Sequence, residues 1–319
     1  MEKQKFDEGS YGVYVIAATP FTDTGAVDIG SVDTLTDFYL AEGVNGMTIL
    51  GVMGEAPKLT DSEQIALLDR YLKRINGRVP VVVGVSNPGI DNVVSLSKAS
   101  MDAGADGVMV AGIPGLRTDE HILAYFEKLF HKLDDGTPVC LQDYPPTTTV
   151  HFSVAVINQL ISTYSDIVMF KHEDCPGHRK LTQVRNAPEN EGLRRVSILT
   201  GNGGLYVPQE LRRGADGIMT GFAFPGMLVE VYDLFREGRL EEAEDLFDVY
   251  LPLIRHEQQI GFGLALRKET LRRRGALSCP AARAPGPAMD AVDNEELETL
   301  FFRLKRKLET GGFPRPNGI

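Results

Sequence analysis

Asp102-Ala-Gly-Ala-Asp-Gly-Val-Met-Val110 reads as a helix end, a glycine cap, a short turn and a buried strand. The chain carries the same pattern twice more, as Ala41-Glu-Gly-Val-Asn-Gly-Met-Thr-Ile-Leu50 and Arg213-Gly-Ala-Asp-Gly-Ile-Met-Thr-Gly221. The first glycines, Gly43, Gly104 and Gly214, are 61 and 110 residues apart, close to two and four βα units of about 30 residues each. Filling the gaps places strands at 13–18, 46–50, 79–83, 107–110, 139–142, 167–170, 197–199 and 217–220. Amphipathic stretches separate them. The clearest opens with a capping box, Thr60-Asp-Ser-Glu63, and sets Ile65, Leu68, Leu72 and Ile75 on one face. Strands apolar on both faces and joined by helical crossovers make a parallel sheet, and eight of them favour closure into a (β/α)8 TIM barrel. A doubly wound sheet would show a glycine-rich fingerprint after an early strand, whereas the first turn here is Thr19-Pro-Phe-Thr-Asp-Thr-Gly25. Beyond the eighth unit only helices are expected, at 225–236, 240–259, 264–274 and 294–308, with an Ala/Pro-rich connector at 278–290 and a frayed tail from Glu309. The expected organisation is an α/β barrel over 1–238 with a C-terminal helical extension over 239–319.

The sixth strand, Ile167-Val168-Met169-Phe170, ends in Lys171. On alternating pleats Lys171 shares a face with Ile167 and Met169, so its stem leaves a packed interior and its amine emerges where solvent is scarce. Desolvation favours a neutral amine, and such lysines typically form Schiff bases with carbonyls; the plainer reading is a lysine snorkelling into water. Active groups in barrels come from the carboxyl ends of strands, where Lys171 sits.

Other strand ends bear on the same site. Gly51-Val52-Met53-Gly54-Glu55, after the second strand, lets backbone N–H groups approach a small anion, although a plain tight turn has the same glycines. After the fifth strand, Gln142-Asp143-Tyr144-Pro-Pro146 puts Gln142 and Tyr144 on one side. After the seventh, Thr200-Gly201-Asn202-Gly-Gly204 is an adaptable backbone turn. With no arginine or lysine in 200–204 or 220–226, a non-phosphorylated substrate is expected. His172-Glu173-Asp174 is weighed as a metal triplet and set aside, because neighbouring residues on a strand point opposite ways. His172 is expected to face the helical ring or bond locally, and His256-Glu257 reads as a solvated helix face, lacking the second histidine of a zincin.

The 319 residues, 43% of them hydrophobic, suffice for one large core. A formal charge of −11 and no basic stripe argue against nucleic acid as a partner. Cys140, Cys175 and Cys279 form no CxxC pair, the amino terminus has no apolar signal region, and no stretch approaches a membrane span. A cytoplasmic protein is expected.

Together these features resemble the dihydrodipicolinate synthase and N-acetylneuraminate lyase family of Schiff-base lyases. The resemblance covers almost the whole chain. It rests on Thr19-Pro-Phe21 with Gly25 and Asp28, Gly51-x-x-Gly-Glu55, the lysine-ended sixth strand, Gly201, Gly217-Ile-Met-Thr220 and the helical extension. It implies that Lys171 condenses with pyruvate or another 2-oxo acid while the Gly51 turn holds the carboxylate. Gly51, Val52, Met53, Gln142, Asp143, Gly201, Asn202 and Met219 are the implied substrate contacts. No cofactor or metal is implied, and a homo-oligomer, tetramer or dimer, is.

Departures from the family pattern narrow the chemistry. Val52-Met53 stands where the family has hydroxyl residues, Gln142 where it has a tyrosine, Thr147 where synthases carry an arginine, and Leu116 where an aromatic is expected. Gln142-Asp143, with Leu251-Pro-Leu-Ile-Arg-His-Glu257, is instead similar to the branch containing 2-keto-3-deoxy-L-arabonate dehydratase. That branch eliminates water. Elimination needs a proton acceptor and donor, for which Tyr144 is the first candidate, ahead of Asp143 or a water. Aldol cleavage or condensation with pyruvate and a non-catalytic barrel that binds a 2-oxo acid are the alternatives.

Overall fold

The computed structural model describes residues 3–316 and Gly318, so part of the amino terminus and of the 309–319 tail lies outside the described residues. Eight parallel strands close into a barrel in sequence order: β1 Gly12–Ile16, β2 Gly46–Ile49, β3 Val81–Gly84, β4 Gly107–Ala111, β5 Val139–Asp143, β6 Ile167–His172, β7 Ser197–Thr200 and β8 Gly217–Thr220. The barrel is therefore a (β/α)8 TIM barrel with flanking helices and a helical carboxyl end. The third strand starts two residues later than the sequence suggests. Pro80 has no N–H to give to a ladder, although its carbonyl still accepts from Met47 N at 2.9 Å.

The helices are α1 Ile29–Ala41, α2 Asp61–Ile75, α3 Ile90–Asp102, α4 Asp119–Phe130, the short α5 Pro145–Thr148, α6 Val154–Thr163, α7 His178–Glu191 and α8 Val207–Arg212. They continue as α9 Pro225–Arg236, α10 Leu240–Glu257, α11 Gly263–Arg273 and α12 Ala291–Gly311. Capped by Gly312, α12 makes the expected tail helical from Glu309 to Gly311. The capping box on α2 is present, with Thr60 accepting from Glu63 N and Glu63 accepting from Thr60 N at 2.9 Å. Its apolar stripe is rotated from the expected one. Leu67, Leu68, Tyr71 and Ile75 are buried while Ile65 is exposed, because the Tyr71 hydroxyl reaches inward to donate to Ala18 O at 2.7 Å.

The residues between α11 and α12 have little regular structure, but they are held. Arg283 donates to Glu63, to Gly25 O and to Lys58 O, and its guanidinium lies 4.6 Å from the centre of the Phe21 ring. All three cysteines are free thiols, and no helix among the described residues is long and apolar enough to cross a membrane.

Within α8 the buried Glu210 keeps its proton well past the usual range. Burial pushes its carboxyl up to about 8, and Oε2 has no hydrogen-bond partner. The unfolded chain releases this proton near pH 4.5 and the folded chain near pH 8, so stability falls as pH rises between those values and stays reduced above them. Glu210→Gln should therefore gain on wild type with pH, by roughly 2–3 kcal/mol between pH 6 and 9. Urea midpoints at the two pH values check this. Parallel wild-type and variant curves would show that Glu210 is ionised in the folded protein.

Candidate active site

Around the barrel, Gln142 on β5, Lys171 on β6, Leu199 on β7 and Gly217 on β8 are register neighbours, so they face the same interior. A bulge at the start of β6 pairs Ile167 with Val139 and Met169 with Cys140, leaving Val168 over. Met169 therefore shares the face of Lys171, as expected, while Ile167 falls on the other.

Lys171 is 1% exposed, and its Nζ lies 2.9 Å from Glu173 Oε2. The same oxygen accepts from Gln142 Nε2 at 2.7 Å. A lone buried ammonium is costly, and the carboxylate with its amide donor offsets that cost. The amine expected from sequence to be merely desolvated is thus one member of a buried triad. Glu173 was not singled out for chemistry in the sequence, where it stood only in the metal triplet. The available signal was parity, because on a strand residues 171 and 173 share a face. Gly201 completes the arrangement. A Cβ there would lie 2.2 Å from Glu173 Oε1, so only glycine leaves room for the carboxylate.

Asp143 is not part of this cluster. It pairs in register with His172, one position out of phase with Lys171, and accepts from Lys180 Nζ at 2.9 Å behind the strands. Its carboxyl is pushed up to about 6, mainly by burial and against the Lys180 charge. The expectation that Asp143 contacts substrate or takes a proton in the site is corrected by strand parity. His172 bonds locally, its Nε2 lying 3.0 Å from Gly177 O. Tyr144 precedes α5 and is half-buried. Its hydroxyl holds its proton more tightly than usual, through burial first and the Glu173 carboxylate second, while Arg267 opposes the shift. Tyr144 therefore lies within electrostatic reach of both residues.

The turn after β2 reaches toward the interior from the opposite side of the barrel. Leu50 and Glu55 frame it in left-handed conformations, with φ of 54° and 53°. Thr19 Oγ1 donates to Gly54 O at 2.6 Å, and Glu55 N donates to Val52 O at 3.0 Å. The N–H groups of Val52 and Met53 reach no acceptor among the described residues. Met53 is buried over Gly221, whereas Val52 is 52% exposed at the mouth. Glu55 itself points away from the mouth. It accepts from Lys268 Nζ at 2.6 Å, Lys58 Nζ at 2.9 Å and Arg283 N at 3.0 Å. Lys268 is fully buried, 4.5 Å from the centre of the Phe21 ring.

Near β7 the buried Asn202 sits at φ 50° with Nδ2 unpartnered, and Met219 is buried on β8 as the register partner of Tyr14. Residues from α10 and α11 close over this turn. Gln258 Oε1 would be 2.1 Å from a Cβ on Gly203, and it accepts from Arg267 Nη2 at 2.8 Å. Glu257 is 1% exposed rather than solvated, with Oε2 accepting from Ala223 N at 3.3 Å and lying 3.6 Å from Arg267 Nε. Burial pushes its carboxyl up to about 7 against the pull of Arg267. The sequence did not foretell a cation at the β7 turn, because it comes from a helix far along the chain.

A closed barrel with a buried lysine near the carboxyl end of its sixth strand, and a turn with free amides after its second, is an architecture compatible with a lyase. The chain belongs to the dihydrodipicolinate synthetase family, whose family model matches residues 10–305. L-2-keto-3-deoxyarabonate dehydratase of Azospirillum brasilense is 26% identical over 303 residues, covering 92% of this chain and 94% of that protein. 4-Hydroxy-tetrahydrodipicolinate synthase of Oceanobacillus iheyensis is 28% identical over 246 residues, covering 76% of this chain and 80% of that one. The crystal structure of dihydrodipicolinate synthase from Rhodopseudomonas palustris superposes with a TM-score of 0.91 at 46% identity, covering 94% of this chain and 99% of that chain.

Proposed function

We propose that the protein is a Schiff-base lyase that removes water from a 2-keto-3-deoxy sugar acid. The observation that carries this reading is the buried contact of Lys171 with Glu173, backed by Gln142. Glu173 takes the proton that frees the Lys171 amine, which attacks the ketone carbon of the substrate; Glu173 then returns that proton to the carbinolamine hydroxyl, which leaves as water to give an iminium and a free carboxylate. The iminium acidifies C3, a C3 proton passes to Glu173, and the enamine expels the C4 hydroxyl, which leaves as water with a proton returned by the same carboxyl. Hydrolysis of the imine restores Lys171. The substrate carboxylate is seated on the free amides of Val52 and Met53, within the turn from Gly51. Asn202, Gly201 and Met219 border the path of the substrate chain.

The name of the Azospirillum relative supports elimination. That of the Rhodopseudomonas structure supports the second reading, condensation of pyruvate with another carbonyl compound. Gln142 favours the first. An amide tied to Glu173 cannot act as the acid or base that condensation needs there, and elimination requires no second carbonyl. The family resemblance and the three free thiols support a cytoplasmic homo-oligomer, tetramer or dimer.

Intact mass after borohydride reduction tests the reading, with pyruvate and then with 2-keto-3-deoxy sugar acids. An adduct mapped to Lys171 and a product one water lighter than the sugar acid are expected. Pyruvate and an aldehyde among the products would replace dehydration by aldol cleavage, and the absence of any adduct would favour a binding barrel.

A further inference from the structure

The mouth of the barrel holds a second polar cluster that the proposed chemistry does not use. Arg267 reaches it from α11. Its Nη2 is fixed by Gln258 Oε1 at 2.8 Å above Gly203, where a Cβ would come within 3.0 Å of that nitrogen. Its Nε is buried and donates no hydrogen bond, with the nearest carboxylate, Glu257, 3.6 Å away. Tyr144 lies within electrostatic reach of this guanidinium and of the Glu173 beside Lys171. The cluster therefore stands on the β5–β7 side of the mouth, across from the turn after β2.

We infer that Arg267, oriented by Gln258, binds the distal hydroxyl end of a linear, non-phosphorylated 2-oxo sugar acid, and so selects substrate length. The inference rests on the Schiff-base reading, which puts C1 at the Val52 and Met53 amides and C2 on Lys171. The carbons beyond C3 then run toward Tyr144 and Arg267. A guanidinium offers several donors in a fixed fork, suited to oxygen acceptors. The Glu257 carboxyl lies 3.6 Å from this guanidinium, so a neutral hydroxyl fits the remaining donors better than a phosphate dianion, which would crowd that carboxyl. Pyruvate ends at C3 and has no distal hydroxyl for Arg267 to hold.

The test compares full-length wild type with Arg267→Met, Arg267→Lys and Gln258→Ala. The probes are pyruvate, a 2-keto-3-deoxypentonate and a phosphorylated 2-keto-3-deoxy sugar acid, and the readout is the ligand concentration giving half-maximal protection against thermal unfolding. Arg267→Met is expected to weaken the pentonate about ten- to a hundredfold, the range for one charged hydrogen bond, and to leave pyruvate within about twofold. Arg267→Lys should recover part of the loss, and Gln258→Ala should show a smaller one of the same kind. Equal weakening for both acids would make Arg267 a staple of the α10–α11 hairpin. Unchanged affinity for both, or tighter binding of the phosphorylated acid by wild type, would also overturn the inference. A wild type without a borohydride adduct removes the Schiff-base reading alone and leaves these affinity ratios interpretable.

Discussion

Lys171→Ala is expected to bring turnover to background, about 10⁴-fold or more below wild type, and to abolish the borohydride adduct. In the proposed mechanism the amine makes the bond on which each later step depends, and no nearby group would substitute for it. Lys180 is held by Asp143 and Asp174 behind the strands, and Lys268 is buried against Glu55. The fold should persist. Lys171 is a single position within a closed eight-stranded barrel, and the Glu173 left behind retains its Gln142 donor. Circular dichroism and a melting curve establish folding, and the mass spectrum then reads the chemistry. Turnover retained by a folded Lys171→Ala protein would end the Schiff-base assignment.

Glu173→Gln is expected to lower kcat by about 10²- to 10⁴-fold, the usual worth of a positioned acid–base group. The amide is nearly isosteric and can still accept from Gln142, so the change removes a proton acceptor with little loss of packing. Exchange of the pyruvate methyl protons in deuterium oxide isolates the step at C3. Wild type should exchange them, whereas Glu173→Gln should still form some trappable imine and exchange almost none. Full exchange by the variant would pass the proton-transfer role to Tyr144.

The barrel was legible because its grammar is local. Glycine caps at Gly43, Gly104 and Gly214 and short apolar runs announce each βα unit without knowledge of what packs where. Lys171 was legible for the same reason, as a cation ending an apolar strand. The rest of the site depends on direction and on distant partners. Asp143 looked like part of the site by adjacency to Gln142, yet one step along a strand reverses a side chain, and it faces Lys180 instead. Glu173 was hidden by being read with its neighbours rather than with the residue two before it. Glu257 and Arg267 belong to helices whose docking on the β7 turn is a tertiary event, with no trace in the local pattern. The rotated stripe of α2 has the same origin, since Tyr71 is drawn inward by a carbonyl on another segment.

The ties of Glu55 also set an order of events in the life of the chain. Every strand has left the ribosome before Lys268 and Arg283 are made, so a newly closed barrel holds the turn after β2 with only the nearby Lys58 to steady Glu55. The turn acquires its full set of anchors when the last quarter of the polypeptide folds back across it. Carboxyl-terminal cleavage ahead of residue 268 would thus cut two of the three anchors while sparing all eight strands. The extension thereby ties the conformation of the turn after β2 to an uncut chain.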